Sequence, residues 1–337
     1  MRRLKIGQIG IGHNHSDKIK SIKRFPEYFE LIGWSEENEE WVERRGANVH
    51  FGDVPRLSKE EILKKCDAVL VETDVWDLTK TAMECIKAGK HVHMDKPASG
   101  TLEEYRALLD AAEAQKLVLQ LGYMYRYNPN VEALLQMAKS GELGDITSVN
   151  AEMSTLHGDK YRTWLQNFRG GNMYIFGSHL LDLIVYLLGT PRKILSHLGE
   201  SGKNGILCTD LSTATLIYER AVARVFVSSV EVNGWARRVF SVAGTEATAE
   251  LRPIEEPVRM TLARKQPGSA FGRDLAEDLP AVDLLSPNRY DKMLLEFYEY
   301  VVNGKKNPFS YAHEYAVQQV LDEIVGGVHC GSTMPGR

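Results

Sequence analysis

Apolar positions in the first third of the chain fall in short runs separated by stretches with helical spacing. Leu4–Gly10, Phe29–Ser35, Asp67–Glu72, Lys90–Met94 and Leu117–Gly122 read as strands. Asp17–Arg24, Glu37–Arg45, Leu78–Ala88 and Leu102–Gln115 read as the helices between them. Gly46 and Gly89 stand where a helix C-cap favours glycine. Strands and helices alternating at this spacing predict βαβ units, a doubly wound parallel sheet and right-handed crossovers.

After Tyr123 the pattern changes. A helix near Val131–Ser140 is followed by strand-like runs at Ile146–Met153, Ser212–Tyr218, Ala221–Val232 and Arg237–Ala243, with helical Ser178–Leu188 among them. Grouped elements of this kind predict an α+β domain with a large, mainly antiparallel sheet. Residues 253–288, rich in Pro, Gly and charge, are expected to cross the surface as a long connection, and Tyr290–Val302 and Tyr311–Val328 to close the chain as helices. The fold class is therefore α/β, with an N-terminal domain over 1–122 and a second, α+β domain over 123–337.

The chemistry begins at Gly10-Ile11-Gly12-His13-Asn14-His15, between the first strand and the first helix. A dinucleotide loop needs glycine where the chain turns sharply and where backbone must approach the pyrophosphate, and Gly10 and Gly12 fill those places. His13 and Asn14 follow in the same loop, at a helix N-terminus whose free N–H groups suit phosphate. The third glycine of the fingerprint is replaced by His15. Glu36 ends the second strand, where a carboxylate accepts both ribose hydroxyls and repels a 2′-phosphate, so NAD is expected over NADP.

Charge and composition narrow the class. The chain has 337 residues, a net charge of −4 and 26% charged residues. No basic surplus marks a nucleic-acid surface, and no apolar run approaches the roughly 20 residues that span a bilayer. Met1-Arg2-Arg3 leads directly into a strand without an apolar signal segment, and the four cysteines lack metal or redox spacing. A cytoplasmic location is expected.

The stretch Gly89-Lys90-His91-Val92-His93-Met94-Asp95-Lys96-Pro97 resembles the Gfo/Idh/MocA family, named for glucose–fructose oxidoreductase, inositol dehydrogenase and a rhizopine-catabolism protein. The family's Glu-Lys-Pro is here Asp95-Lys96-Pro97. Further matches run in order through Gly122–Pro129, Gly141–Ile146, Gly170-Gly171, Gly177–Asp182 and Gly244–Ala247. The resemblance implies an NAD-dependent dehydrogenase acting on a ring hydroxyl of a sugar, glycoside or cyclitol, assembled as a homodimer or homotetramer. It implies that Lys96 stands by the nicotinamide ribose and the reacting hydroxyl, with Asp95 in the cofactor motif. His179 would be the general acid/base, and Thr73 and Asp74 would line the nicotinamide side. It also exposes a departure, because the family's aspartate one turn before the histidine is Ile175 here. Tyr174, His157 or Asp159 are the candidates for a polar partner.

Arg126, Tyr127, His157, Trp164, Asn172 and Tyr174 are the candidate substrate contacts. Trp164, with Tyr161 and Arg162, forms either a sugar-stacking wall or a packed loop. Arg126 and Tyr127 either reach the cleft or hold domains together. His91, His93 and Asp95 share one strand face. A structural reading of them is preferred to a metal site, and no metal is expected. Two other functions remain open: an NAD-dependent glycosidase or lyase working by transient oxidation and elimination, and an inactive NAD-binding sensor.

Overall fold

A computed structural model of the chain describes residues 2–256, 258–266, 276–282 and 288–326. They form two compact units, one of residues 2–124 with 288–315, the other of the described residues of 125–282 with 316–326. No helix among the described residues is long and apolar enough to cross a membrane.

The first unit holds five parallel strands: β1 (Leu4–Ile9), β2 (Phe29–Ser35), β3 (Ala68–Val71), β4 (His91–Met94) and β5 (Leu119–Leu121), in the order β2-β1-β3-β4-β5. Alternate side chains of β1 decide its packing. Leu4 and Ile6 enter a buried cluster with Ile22, Leu70, Leu294 and Phe297, each side chain contributing about 1.5–3 kcal/mol by leaving water. Gly7 points the other way, and a Cβ there would lie 2.9 Å from the Ile62 side chain, so glycine lets the helix Lys59–Lys65 approach closely. That helix, which the apolar pattern did not predict, opens with a capping box between Ser58 and Glu61. The expected helix Glu37–Arg45 is divided into a turn, Glu39–Trp41, and a wider one, Val42–Gly46. Leu294 and Phe297 belong to the helix Asp291–Val302, which returns to this unit from the far end of the chain.

The second unit is built on β6 (Ile146–Glu152), β7 (Lys193–Gly199), β8 (Leu211–Ile217), β9 (Val222–Ser228), β10 (Val239–Gly244), β11 (Ala247–Leu251), β12 (Met260–Arg264) and β13 (Ala276–Leu279). Their order is β13-β12-β11-β10-β6-β9-β8-β7, antiparallel except where β6 meets β9. Two of these strands lie in the stretch expected to be a surface connection. Their short alternation is masked in sequence by the flanking Pro, Gly and charge. One sheet face carries buried Ala214, Leu216, Ala223, Val225 and Val227, while the other exposes Leu195, Leu211 and Val222. The helix Ser178–Leu188 has the predicted bounds and is buried through its first two turns. The last helix runs over Tyr311–Ile324 and gives way to a turn at 325–326; only 327–328 of its expected span lie outside the described residues.

Candidate active site

The loop after β1 is held in a shape that only glycine allows. Gly10 has φ +90°, and a Cβ there would collide with the Thr73 backbone. A Cβ on Gly12 would lie 2.8 Å from Trp41 Nε1. Arg45 anchors the loop from its carbonyl side, donating through one nitrogen to Ile11 O at 2.7 Å and His13 O at 2.7 Å. Glu36 meets it from the strand end, accepting Ile11 N–H at 2.9 Å and Asn38 N–H at 2.9 Å. A cavity of about 550 Å³ opens beside Gly10, Glu36, Thr73, Asp74 and Lys80. Asp74 accepts the Trp41 indole N–H at 2.9 Å, and burial pushes its carboxyl above the ordinary range. Asn14 is exposed at the loop's outer side, whereas His13 is buried with its Nδ1 accepting His15 N–H at 3.1 Å.

Under the loop lies a buried polar cluster. Lys18, fully enclosed, donates to Glu72 Oε1 at 2.7 Å, Asp95 Oδ2 at 2.5 Å and His93 Nε2 at 3.0 Å. Asp95 Oδ1 accepts the backbone N–H of Lys96 at 2.7 Å, and Oδ2 lies 3.1 Å from His15 Nδ1 and 3.2 Å from His13 Nδ1. Burial opposes ionisation of Asp95, but His13, Lys18 and His15 hold its carboxyl well below the usual range. Burial keeps the histidines neutral, with His15 and His93 both lowered to about 3. Lys96 is itself buried, and its amine is pushed down to about 8 by burial, with Asp95 opposing and Lys18 and Arg289 adding to the fall. The donor atoms of His13, His15 and Asp95 lie within 4.8 Å of one another, a spacing a cation could use. The Lys18 ammonium already compensates that carboxylate.

In the second unit His179 is buried on the first turn of Ser178–Leu188, with the Tyr125 ring 5.2 Å away between centroids. The Tyr125 hydroxyl donates to Glu255 at 2.5 Å, and Glu255 pairs with Arg238. Ile175 is buried in the turn Met173–Gly177 that leads into the helix. Asp182 shares the helix with His179, but Arg126 takes both of its oxygens, Nε at 2.9 Å and a terminal nitrogen at 2.6 Å. Both partners are buried. Asp182→Asn should therefore strand a buried guanidinium and cost about 3–5 kcal/mol of stability. Urea unfolding reads this directly, and a loss under about 1 kcal/mol would show that the pair is dispensable.

Several expected substrate contacts have interior roles. Arg126 is committed to Asp182. Asn172 is buried, donating to Val227 O at 3.0 Å and accepting from the Ser212 hydroxyl at 2.6 Å, so it pins its turn to β8 and β9. Tyr127 and Tyr174 are also buried. Tyr161, Arg162 and Trp164 lie on a helix, Asp159–Leu165, and not in a loop. Arg162 is buried against Asp210 at 2.7 Å. His157 stacks with Tyr161 and Phe176, with ring centroids 4.4 and 5.0 Å away and planes within 14°, and those two rings are themselves 6.0 Å apart. Burial, aided by Arg238, lowers it to about 4, so it is neutral at pH 7. Trp164 packs against Tyr161 and stays partly exposed.

Two family models cover the chain in sequence order. The oxidoreductase family with an NAD-binding Rossmann fold matches residues 4–123, and the GFO/IDH/MocA C-terminal domain matches residues 131–250. The chain belongs to the Gfo/Idh/MocA oxidoreductase family. Among its relatives, scyllo-inositol 2-dehydrogenase (NADP(+)) of Bacillus subtilis is 25% identical over 198 residues, 58% of this chain and 54% of that protein. Glucose-6-phosphate 3-dehydrogenase of the same organism is 27% identical over 189 residues, 54% of this chain and 52% of that protein. The alignments thus span about half the length of these relatives. An oxidoreductase from Agrobacterium radiobacter, solved with NAD+, L-tartaric acid and magnesium, shares the fold with a TM-score of 0.80 at 15% identity, covering 98% of this chain and 99% of that one.

Membership gives the family's Lys-Pro motif its structural setting. Lys96 stands in the first unit beside Asp95 and the loop histidines, whereas His179 stands in the second. Lys18, Arg45 and Tyr125 were not singled out from sequence. The available signal for Lys18 was the polar face of β4: two histidines and an aspartate inside a buried parallel strand require a compensating partner.

Proposed function

We propose that this protein is an NAD-dependent dehydrogenase of a ring hydroxyl in a sugar, glycoside or cyclitol. The observation that carries the reading is Lys96, a buried amine pushed down to about 8, placed beside a glycine loop shaped for a dinucleotide. Bound NAD supplies the hydride acceptor. Lys96, protonated below about pH 8, stabilises charge on the reacting oxygen. His179 takes or returns the hydroxyl proton. Turnover should accordingly fall above about pH 8 as the ammonium is lost. The stacked His157 and the Trp164 ring are the candidate substrate wall, because flat apolar faces suit the C–H face of a sugar ring. The exposed sheet face with Leu195, Leu211 and Val222 is the candidate surface for a homodimer or homotetramer.

The deciding experiment mixes protein and NAD with aldoses, inositols and glycosides and follows NADH absorbance. Growth with one class supports the reading. Aglycone release without net NADH would replace it with the elimination route.

Glu36 is the proposed selector of NAD over NADP, because a carboxylate at the end of the second strand repels a 2′-phosphate. Glu36→Ser should raise relative affinity for NADP at least about tenfold, a change of about 1.4 kcal/mol. Titrating both nucleotides against both proteins measures it. An unchanged ratio would remove Glu36 as the selector.

A further inference from the structure

Lys18 has no part in the chemistry above, yet its contacts converge on the residue that does. It lies at the end of the turn Ser16–Lys18 and is fully enclosed. Its ammonium has three N–H bonds and three acceptors in reach: Glu72 Oε1 at 2.7 Å, His93 Nε2 at 3.0 Å and Asp95 Oδ2 at 2.5 Å. With Nε2 accepting, His93 carries its proton on Nδ1, which faces Gln120 Oε1 at 2.7 Å. Gln120 donates onward to Met293 O at 3.1 Å. The lysine is thus locked from β3, β4, β5 and the helix Asp291–Val302 at once.

Asp95 is the hinge of the argument. One of its oxygens takes the Lys18 ammonium, and the other accepts the Lys96 backbone N–H at 2.7 Å. We propose that Lys18 is a positioning residue for Lys96: from its enclosed site it fixes Asp95 and so holds that carboxylate against the Lys96 backbone.

The surrounding groups agree with this role. Burial would strip Lys18 of its proton, but Asp95 and Glu72 outweigh that and raise its pKa, so it stays charged. His13 and His15 from the glycine loop are lowered by burial and are neutral at pH 7. His93 is likewise neutral. Burial pushes the Glu72 carboxyl well above its ordinary range. Tyr290, whose ring centroid is 5.8 Å from the Lys18 nitrogen, is held protonated by burial. Arg289 adds a second like charge. Asp95 is the carboxylate of this set that its neighbours hold ionised, and Lys18 shares it with Lys96.

The inference bears on turnover through the role given to Lys96 above, and the test separates the two. Full-length protein carrying 13C-lysine is titrated by NMR, with the Lys96 signal identified by its loss in Lys96→Arg. The wild-type midpoint should lie near 8. In Lys18→Met it should rise by about one pH unit or more, because a like charge is removed and Asp95 is freed to attract Lys96. If the single variant does not fold, Lys18→Met with Glu72→Gln removes one of the stranded carboxylates and serves instead. A wild-type midpoint at the ordinary lysine value of about 10.4 overturns the proposal without any variant, as does a midpoint that Lys18→Met leaves unmoved. A moved midpoint that the alkaline limb of turnover does not follow supports the tuning by Lys18 and overturns the catalytic role of Lys96.

Discussion

Lys96→Met is expected to bind NAD within about tenfold of the unaltered protein and to lose roughly 10³-fold or more in turnover. The two parts of that result have different origins. In the function proposed above, nucleotide binding rests on Gly10, Gly12 and Glu36, and Glu36 is held at the loop by the backbone N–H groups of Ile11 and Asn38. In the same proposal turnover rests on a cation at the reacting oxygen, and methionine fills much the same volume without charge. Methionine also suits the enclosed site better than alanine, which would open a cavity. Nucleotide titration by fluorescence with single-turnover kinetics separates the effects. Turnover within tenfold of the unaltered protein would remove Lys96 from the chemistry. Loss of nucleotide affinity as well would make it a binding residue.

Gly10→Ala should be the more destructive change. The residue combines φ +90° with a Cβ position already occupied by the Thr73 backbone. Neither neighbour is free to yield, since Gly10 N donates to Ser35 O at 2.8 Å and the preceding Glu72 N–H is held by Ile9 O at 2.8 Å. Steric strain at the left-handed position costs roughly 1–2 kcal/mol, and forced backbone displacement adds about 1–3 more. The expected outcome is a loss of about 2–4 kcal/mol in unfolding free energy with no measurable nucleotide binding. A stable Gly10→Ala protein with unchanged affinity would mean that the loop is far more plastic than its hydrogen bonds suggest.

Much of the fold could be read from apolar periodicity. The five strands of the first sheet are short, largely apolar and bounded by turns, and the helix Ser178–Leu188 is apolar on nearly every side and ends at Gly189. Where the signal failed, a local rule was outweighed. β12 and β13 exist because β11 offers an edge, which composition around 253–288 conceals. The helix Asp159–Leu165 is held by the long-range pair Arg162–Asp210, invisible to spacing along the chain. The turn at Gly10 was legible because the backbone there needs glycine. The buried hydrogen bonds of Asn172 and Arg126 were not legible, because polar residues beside a glycine turn look alike in sequence whether they face inward or outward. Their partners, Ser212 and Asp182, are distant in sequence and decide the matter.

The grip of Arg45 on the loop after β1 has a thermodynamic consequence. Its guanidinium draws the carbonyls of Ile11, Gly12 and His13 to one side. The entropy of ordering that segment is therefore spent during folding, before any nucleotide arrives. Calorimetry of NAD binding should accordingly register the heat-capacity change of covering apolar surface alone, without the larger signature of a segment folding around its ligand.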